Sequence, residues 1–584
     1  MSRALIFVHY NKYNSLSQYV VYTLEKMHNL FEFVIFVSNS RLDKQDEKKI
    51  KKYSHKVIQR ENLGYDFGAW KDTFKTEGWD FFSQFDSVTL MNDTCFGPLF
   101  EMANIFETME NNKIDFWGIT NHKNTKNGMP ITNQEIPEHL QSYFLSFSKE
   151  TVSSQIFKNF WENIEFFQDV RNVISCYETK LTKLLVDSGF KYQAWINTID
   201  LKNENPDFAN WHPDLLIKLK NPFVKIKGFL NFKNPYYLKQ LISKHSEYPI
   251  NLIDEHFNSI LSPDSSINIS NKTIIVSKHN LPHKNFTTTA IHIHVYYPDI
   301  LSDYIAHLEK SKSEFDIYIT TDTLEKKQII ISLFNKSNIK NRVKNIFVFD
   351  NKGRDVLPWL KISSILNQYN LAGHFHTKKT DWKESWIGES WQNEILEALI
   401  RPMDYIISFL NNNQQIGIIV PDKPFYYSNI LLESDTWGDN RELFKSLWNK
   451  MNCLKQIDPF TIKSPLMPYG NMFWYRPNAL KKLFDLNLNE DNFLEEPLPV
   501  DGTIAHALER MPVYISWSEN YDFRIAVPAK MILNSFCGKT FYTVKESTNE
   551  FSTVVNSLDY RIGKLILYVP RKIYRFLKKL INKL

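Results

Sequence analysis

Two short stretches of this 584-residue chain hold chemistry-bearing residues at matching spacing. RENLGYDFGAWK (60–71) and DNKGRDVLPWLK (350–361) each run Asn, any residue, Gly, any residue, Asp and an apolar residue, with a Trp (Trp70, Trp359) four positions after the Asp. Each follows a strand-like run, KVIQ or NIFVF. Glycine at a strand exit supplies a positive φ or a close backbone approach. The Asp that follows can cap a helix or contact ribose or sugar hydroxyls at the carboxyl ends of the strands. Gly64, Asp66, Gly353 and Asp355 are thus candidate nucleotide-sugar residues, and Arg354 adds a cation able to face a diphosphate. A cap accepts many residue types, so the second copy favours the binding role over the cap.

Further candidates lie at two other strand exits. SVTLMNDTCFGPLF ends a strand at Asn92 and Asp93. A carboxylate there can hold a divalent metal, Mg2+ or Mn2+, that neutralises a nucleotide diphosphate. Asp93 is the one acid in that run and a turn cap is the alternative, so the sequence leaves metal dependence open. The matching place downstream is GHFHTKKT, where His374 and His376 alternate onto one strand face. No third metal ligand is evident beside them. Lys378 and Lys379 instead offer positive charge that could stabilise a departing diphosphate without metal, and His376 and Lys378 join the nucleotide-sugar candidates. Inverting transfer of a sugar needs a carboxylate to take the acceptor proton. Glu178, at an expected helix start, and Asp501, before a helix and a strand, are the candidates, with dipole-favoured helix acids as the alternative.

The elements that must position these residues alternate. ALIFVHY, FEFVIFVSNS, KVIQ and SVTLMND read as strands separated by helical patterns, which predicts an α/β fold with a parallel sheet and helices on both faces. TAIHIHVYY, FDIYITTD, NIFVF and GHFHTKK repeat the arrangement. The two glycines lie 353 − 64 = 289 residues apart, the two aspartates 355 − 66 = 289, and the two FEF/FDI strands 315 − 31 = 284. Such an offset signals duplication of a whole nucleotide-binding fold. HLQSYFLSFS and GNMFWYRPNAL read as aromatic strands on an acceptor side. The expected boundaries are 1–240 and 273–540 for the two domains, 241–272 for a linker, and 541–584 for a polar connector and a basic amphipathic helix.

Composition narrows the class. Aromatic residues make up 15% of the chain, which suits large cores and stacking on bases or sugars. Cys95, Cys176, Cys453 and Cys537 are dispersed without a CxxC, which argues against a zinc site or disulfide scaffold and for a reducing, cytosolic setting. The opening MSRALIFVHYNKY lacks the long apolar run of a signal peptide, and no stretch reaches the roughly 20 apolar residues of a membrane span. Residues 559–584 hold eight basic residues and one acid, 8 − 1 = +7, so the rest of the chain carries 5 − 7 = −2. That excludes a nucleic-acid groove and puts the basicity on a tail. There, Ile562, Leu565, Ile566, Val569, Ile573, Phe576, Leu577, Leu580 and Ile581 form an apolar face, with Pro570 as a break. It suits an anionic membrane surface, the alternative being docking on the protein's own body.

FVHYNKYN, RENLGYDFGAW, MNDTCFGPL, HLQSYFLSF, NPDFANWHPDLLI with NPFVK, NKGRDVLPWL, FHTKKT, GNMFWYRPNAL and VDGTIAHALER together carry a resemblance to the rhamnan synthesis protein F family, bacterial rhamnosyltransferases of cell-wall and surface polysaccharide assembly. The resemblance implies two tandem GT-A-like (Rossmann-type) glycosyltransferase domains plus the C-terminal basic amphipathic helix. It implies dTDP-β-L-rhamnose as donor, a polyprenyl-diphosphate-linked rhamnan as acceptor, and inversion at the transferred sugar. It also implies work beside other polysaccharide-assembly glycosyltransferases, peripherally on the cytoplasmic face of the membrane. Two sites could alternate α-1,2 and α-1,3 linkages, or one domain could transfer and the other bind glycan. Another nucleotide sugar, or a glycan-binding scaffold role, remains an open alternative at this level.

Overall fold

A computed structural model of the chain describes residues 1–125, 135–201, 206–277, 287–379, 385–424 and 436–531. The chain divides into two compact units, Met1–Leu261 with Ser265–Ser270 and Ser262–Asp264 with Asn271–Leu584.

In the first unit the described strands are β1 (Arg3–His9), β2 (Phe33–Ser38), β3 (Lys56–Gln59), β4 (Ser87–Asn92), β5 (Cys95–Phe96), β6 (Phe116–His122), β7 (His139–Leu140), β8 (Phe144–Ser148), β9 (Tyr192–Ile196) and β10 (Val224–Lys225). The main sheet runs β3-β2-β1-β4-β8-β6, with β7 and β9 both on β6, while β5 and β10 form a separate ribbon. β1 and β2 are buried almost end to end, as parallel strands covered on both faces must be. Along β1, Leu5 and Phe7 join one core and Ala4, Ile6 and Val8 the other, so the sheet separates two apolar layers.

The second unit contains β11 (Thr273–Val276), β12 (Thr289–His294), β13 (Asp316–Thr321), β14 (Val343–Val348), β15 (Leu371–His376), β16 (Ile416–Pro421), β17 (Phe473–Tyr475) and β18 (Asp522–Pro528). Its order is β11-β18-β16-β17-β15-β12-β13-β14. Read from the other end, β14-β13-β12-β15-β17-β16-β18 repeats β3-β2-β1-β4-β8-β6-β9 strand for strand. One topology is built twice.

Two expectations need correction. The sheets are not wholly parallel: β8 pairs antiparallel with β4 and β6, and β17 does the same with β15 and β16. Apolar runs such as FLSFS and FWY reveal burial and not strand direction. Residues 241–272 are also not a linker. Pro235–His245 and Asn251–Ile260 are helices whose Leu241, Ile242, Ile253 and Phe257 belong to the first unit's core, beside Phe96 and Phe229. Their Ser, Asn and Pro content marks helix starts and turns. Phe257→Ala should therefore cost about 3–5 kcal/mol in the unfolding of the first unit, read by denaturant titration; a true linker would show almost no change. The expected tail helix at 541–584 lies outside the described residues. Among those described, no helix is long and apolar enough to cross a membrane.

Candidate active sites

The repeated glycine turn is a repeat of backbone geometry. Gly64 has φ +71° and Tyr65 φ +55°; Gly353 has φ +65° and Arg354 φ +52°. In each case two successive left-handed residues swing the chain from the strand exit into a helix. A Cβ on Gly64 would come within 2.7 Å of the Phe166 ring, and one on Gly353 within 2.7 Å of Leu357 and Phe493. Glycine is therefore required at both positions for conformation and for space.

Neither aspartate is a side-chain N-cap, although Asp66 Oδ1 accepts the first-turn Phe67 N–H at 3.2 Å. Gly64 occupies the cap position of Tyr65–Glu77, and Asp355, at the cap of Val356–Lys361, makes no side-chain capping bond. Asp66 Oδ2 instead accepts a 2.6 Å hydrogen bond from Asn92 Nδ2 at the end of β4. Asp355 Oδ2 accepts from Asn471 Nδ2 at 2.7 Å and lies 3.3 Å from His374 Nε2 and 4.0 Å from His376 Nε2. The two carboxylates differ electrostatically. Burial, and then the nearby Glu178 charge, push Asp66 up to about 6. Burial acts in the same sense on Asp355, but His376, His374 and Asn471 outweigh it and hold the carboxyl well below the usual range.

Glu178 closes the π-helical turn Ile174–Glu178 in front of the helix Thr179–Asp187, and its Oε1 accepts the Ser142 N–H at 3.1 Å. The structure thus brings Glu178 and Asp66 together, with His139 nearby. The counterpart in the second unit is Glu509. The turn entering β9 is closed by Gly189 N–H to Val186 O and Phe190 N–H to Leu185 O. The turn entering β18 is closed by Asn520 N–H to Trp517 O and Tyr521 N–H to Ser516 O. These matching bonds are offset by 517 − 186 = 331, and 509 − 178 is also 331. Glu509 ends the helix Ile504–Glu509, which lies over the glycine turn, with His506 Nε2 3.4 Å from Arg354 Nη1. Burial and the Asp355 charge push the Glu509 carboxyl up to about 7 against the pull of Lys378, Arg510 and Arg354.

Asp501, expected as the base of the second unit, is occupied elsewhere. Its carboxylate accepts from Asn440 Nδ2 at 2.6 Å and from the Asp439 N–H at 3.0 Å, and lies 3.6 Å from Arg510. These partners outweigh partial burial and hold it below the ordinary carboxylate range. Asp501 fastens the Gly438–Asn440 turn to the helix that carries Glu509, and the acid facing Asp355 is Glu509.

At the β4 exit, Asp93 Oδ2 lies 2.7 Å from His9 Nδ1 and accepts the Tyr10 N–H at 3.1 Å. Its Oδ1 accepts no hydrogen bond among the described residues, so Asp93 could offer one oxygen to a divalent cation whose other ligands come from a diphosphate and water, as Mg2+ sites commonly do. Among the described residues no cluster of three or more His, Cys, Asp and Glu is arranged around a metal position. Lys378 places Nζ 4.0 Å above the Trp391 ring on the side of Asp355 and Glu509, while Lys379 pairs with Asp299 at 2.6 Å. His374 extends inward through His292 Nδ1 at 3.0 Å to Thr320. Burial pushes His292 and His374 below the ordinary imidazole value, and the chain links Asp355 through them to Thr320.

Sequence reasoning missed four further residues. Asn471 and Glu509 stand inside GNMFWYRPNAL and VDGTIAHALER, and Asp207 and Lys225 inside NPDFANWHPDLLI and NPFVK. Asp207 accepts from Asn210 at 2.6 Å and from Gln141 at 3.2 Å; burial raises it, but Lys225 and these amides bring it below its ordinary value. Lys225 sits opposite Cys95 in the β5–β10 ribbon, directly after Asp93 and Thr94. The signal for Glu509 was available: aligning SGFKYQ with ENYDFR pairs Glu178 with Glu509.

A putative nucleotide-diphospho-sugar transferase from Desulfovibrio desulfuricans aligns with 42% of this chain and 99% of its own at 13% identity and a TM-score of 0.23. Core-mannan synthase A from Aspergillus fumigatus, in a Mn/GDP form, aligns with 28% of this chain and 63% of its own at 9% identity and a TM-score of 0.19. The uncharacterized protein WxcX of Xanthomonas campestris pv. campestris is 29% identical over 222 residues, 37% of this chain and 30% of that protein. The uncharacterized protein y4gN of Sinorhizobium fredii is 32% identical over 157 residues, 27% of this chain and 39% of that one. The chain thus covers well under half the length of these curated relatives. The model of rhamnan synthesis protein F matches residues 34–521, a span that takes in both glycine turns, both opposed glutamates and every strand from β3 to β17. On that match the chain belongs to the rhamnan synthesis protein F family.

Proposed function

We propose that the chain is an inverting glycosyltransferase of polysaccharide synthesis with a GT-A-like site in each unit. The observation that carries this reading is the repeated pair at the carboxyl edge of each sheet: Asp66 with Glu178, and Asp355 with Glu509. In each site the glutamate is the base. Its carboxylate takes the proton of the acceptor hydroxyl as that oxygen bonds to the anomeric carbon, and the bond from that carbon to the diphosphate breaks on the opposite face. The turn aspartate orients the sugar or ribose hydroxyls. A divalent cation held at Asp93 would neutralise the diphosphate of the first site.

Family membership supports L-rhamnose from dTDP-β-L-rhamnose as the transferred sugar and a polyprenyl-diphosphate-linked rhamnan as the acceptor, with α-1,2 and α-1,3 linkages divided between the two sites. The basic, apolar-faced pattern at 559–584 supports work on an anionic membrane surface at the cytoplasmic face, beside other assembly enzymes.

The test is to offer purified protein a lipid-linked rhamnoside with dTDP-rhamnose, UDP-glucose, UDP-N-acetylglucosamine or GDP-mannose, and to read the products by mass. Extension from dTDP-rhamnose is expected. Extension only from another donor would replace the sugar assignment, and glycan binding without extension from any donor would favour a scaffold. The free-enzyme pH profile is a second check. A base near 7 must be ionised to act, so kcat/KM for second-site transfer should fall about tenfold per pH unit below about 7 and level off above it.

A further inference from the structure

We infer that the two sites neutralise the diphosphate by different means: the first through a divalent cation at Asp93, the second through Lys378 and Arg354 without metal. The inference rests on the glycosyltransferase reading and extends it. The backbone identifies which residues correspond. Val8 pairs with Asn92 and His294 with His376 in the registers of β1–β4 and β12–β15. The next N–H donates back across the sheet in both units, Asp93 to Val8 O at 3.1 Å and Thr377 to His294 O at 2.9 Å. The following tyrosine then donates its N–H to that residue's side chain: Tyr10 to Asp93 Oδ2 at 3.1 Å, Tyr296 to Thr377 Oγ1 at 3.0 Å. Asp93 and Thr377 therefore occupy the same position, and one has a carboxylate where the other has a hydroxyl.

That exchange changes what the position can hold. A hydroxyl already accepting from Tyr296 and Tyr297 is a poor ligand for a divalent cation, and the next residue is Lys378. Asp355, the nearby carboxylate, is engaged by Asn471 and His374. Arg354 adds a second positive group, half exposed and held, among the described residues, by the long 3.9 Å approach of Glu496 and the His506 contact. A divalent cation at Thr377 would meet like charge. The same two groups suit the oxygens of a diphosphate, Lys378 as a point charge and Arg354 as a planar fork. Among the described residues Lys378 makes no direct hydrogen bond or ion pair; it rests against Trp391 and faces the Glu509 and Asp355 charges from a distance.

Calorimetric titration of the full chain with dTDP, UDP and GDP in turn, in Mn2+ or in EDTA, tests this. Wild type should bind two equivalents of the accepted nucleotide in Mn2+ and one in EDTA. Lys378→Met should weaken the EDTA-resistant event by about tenfold or more and spare the other, and Lys378→Arg should retain it. Asp93→Asn should do the reverse. The electron paramagnetic resonance signal of nucleotide-bound Mn2+ should vanish in Asp93→Asn and persist in Lys378→Met. If EDTA removes both events, or if Lys378→Met leaves the EDTA-resistant event unchanged, the division of labour is wrong while the nucleotide sites stand. If none of the three nucleotides binds under either condition, the glycosyltransferase reading falls and this inference with it.

Discussion

Glutamine in place of Glu509 should abolish transfer at the second site, lowering kcat by about 100-fold to 10,000-fold while donor binding persists. The substitution keeps the shape and the hydrogen-bonding reach of the side chain and removes only the group that accepts the proton. Asp501→Asn should behave differently. It weakens the bonds to Asn440, Asp439 and Arg510, so the unfolding midpoint should drop by the equivalent of about 1–3 kcal/mol, with kcat within about threefold of wild type. The pair discriminates because both acids belong to one short motif. If Asp501→Asn stops transfer and Glu509→Gln does not, the base has been misassigned.

The turn aspartates should respond to neutralisation with opposite signs. Asp66 is raised in the folded state to about 6. A carboxyl raised above its unfolded value makes folding less favourable as pH rises from about 4 to about 6, by about 2–3 kcal/mol once it is fully ionised. Asp66→Asn, which removes that charge and retains an acceptor for Asn92, should therefore leave the first unit as stable at pH 7 or more so. Asp355 is depressed, so its contribution is present above the ordinary carboxylate range and is lost as pH falls through its folded value. Asp355→Asn should destabilise the second unit at pH 7 by about 3 kcal/mol or more, because Lys378 loses the charge it faces and Asn471 and His374 lose the carboxylate they bond. It should also shift the acid limb of second-site transfer to lower pH, since the Asp355 charge is part of what holds Glu509 up. Thermal unfolding of both variants at pH 5 and pH 7 checks the signs.

The alternation of strands and helices was legible because each strand is an apolar run punctuated by polar helices, and the duplication because both copies keep Gly-x-Asp at one offset. The antiparallel insertion of β8 and β17 was not, since buried aromatic runs carry no information on direction. The core role of 241–260 was hidden by its Ser, Asn and Pro content, which in the fold marks helix starts and turns. Among the site residues, Gly64, Asp66, Asn92 and Glu178 were read from the chain and meet in the first unit. In the second unit, His376 and Lys378 at the end of β15 lie beside the turn that carries Gly353, Arg354 and Asp355. The sequence offered Asp501, the acid opening the helix motif, as the base; the base we propose is Glu509, at that motif's end. Asp501 drew attention through its Gly-Thr neighbours, which are the signature of a turn and a cap: Thr503 Oγ1 accepts the His506 N–H at 3.5 Å. Pairing that depends on three distant segments, as in Asp207 with Gln141 and Lys225, leaves no periodic trace in a sequence.

The most direct test of the central claim, one transfer site in each unit, is the product ladder from a lipid-linked rhamnoside and dTDP-rhamnose given by wild type, Glu178→Gln, Glu509→Gln and the double variant. Two working sites predict repeated extension by wild type, arrest of each single variant after a different single addition, and no addition by the double variant. Extension by the double variant at the wild-type rate would contradict the assignment of both glutamates and, with it, the reading of this chain as two glycosyltransferase sites.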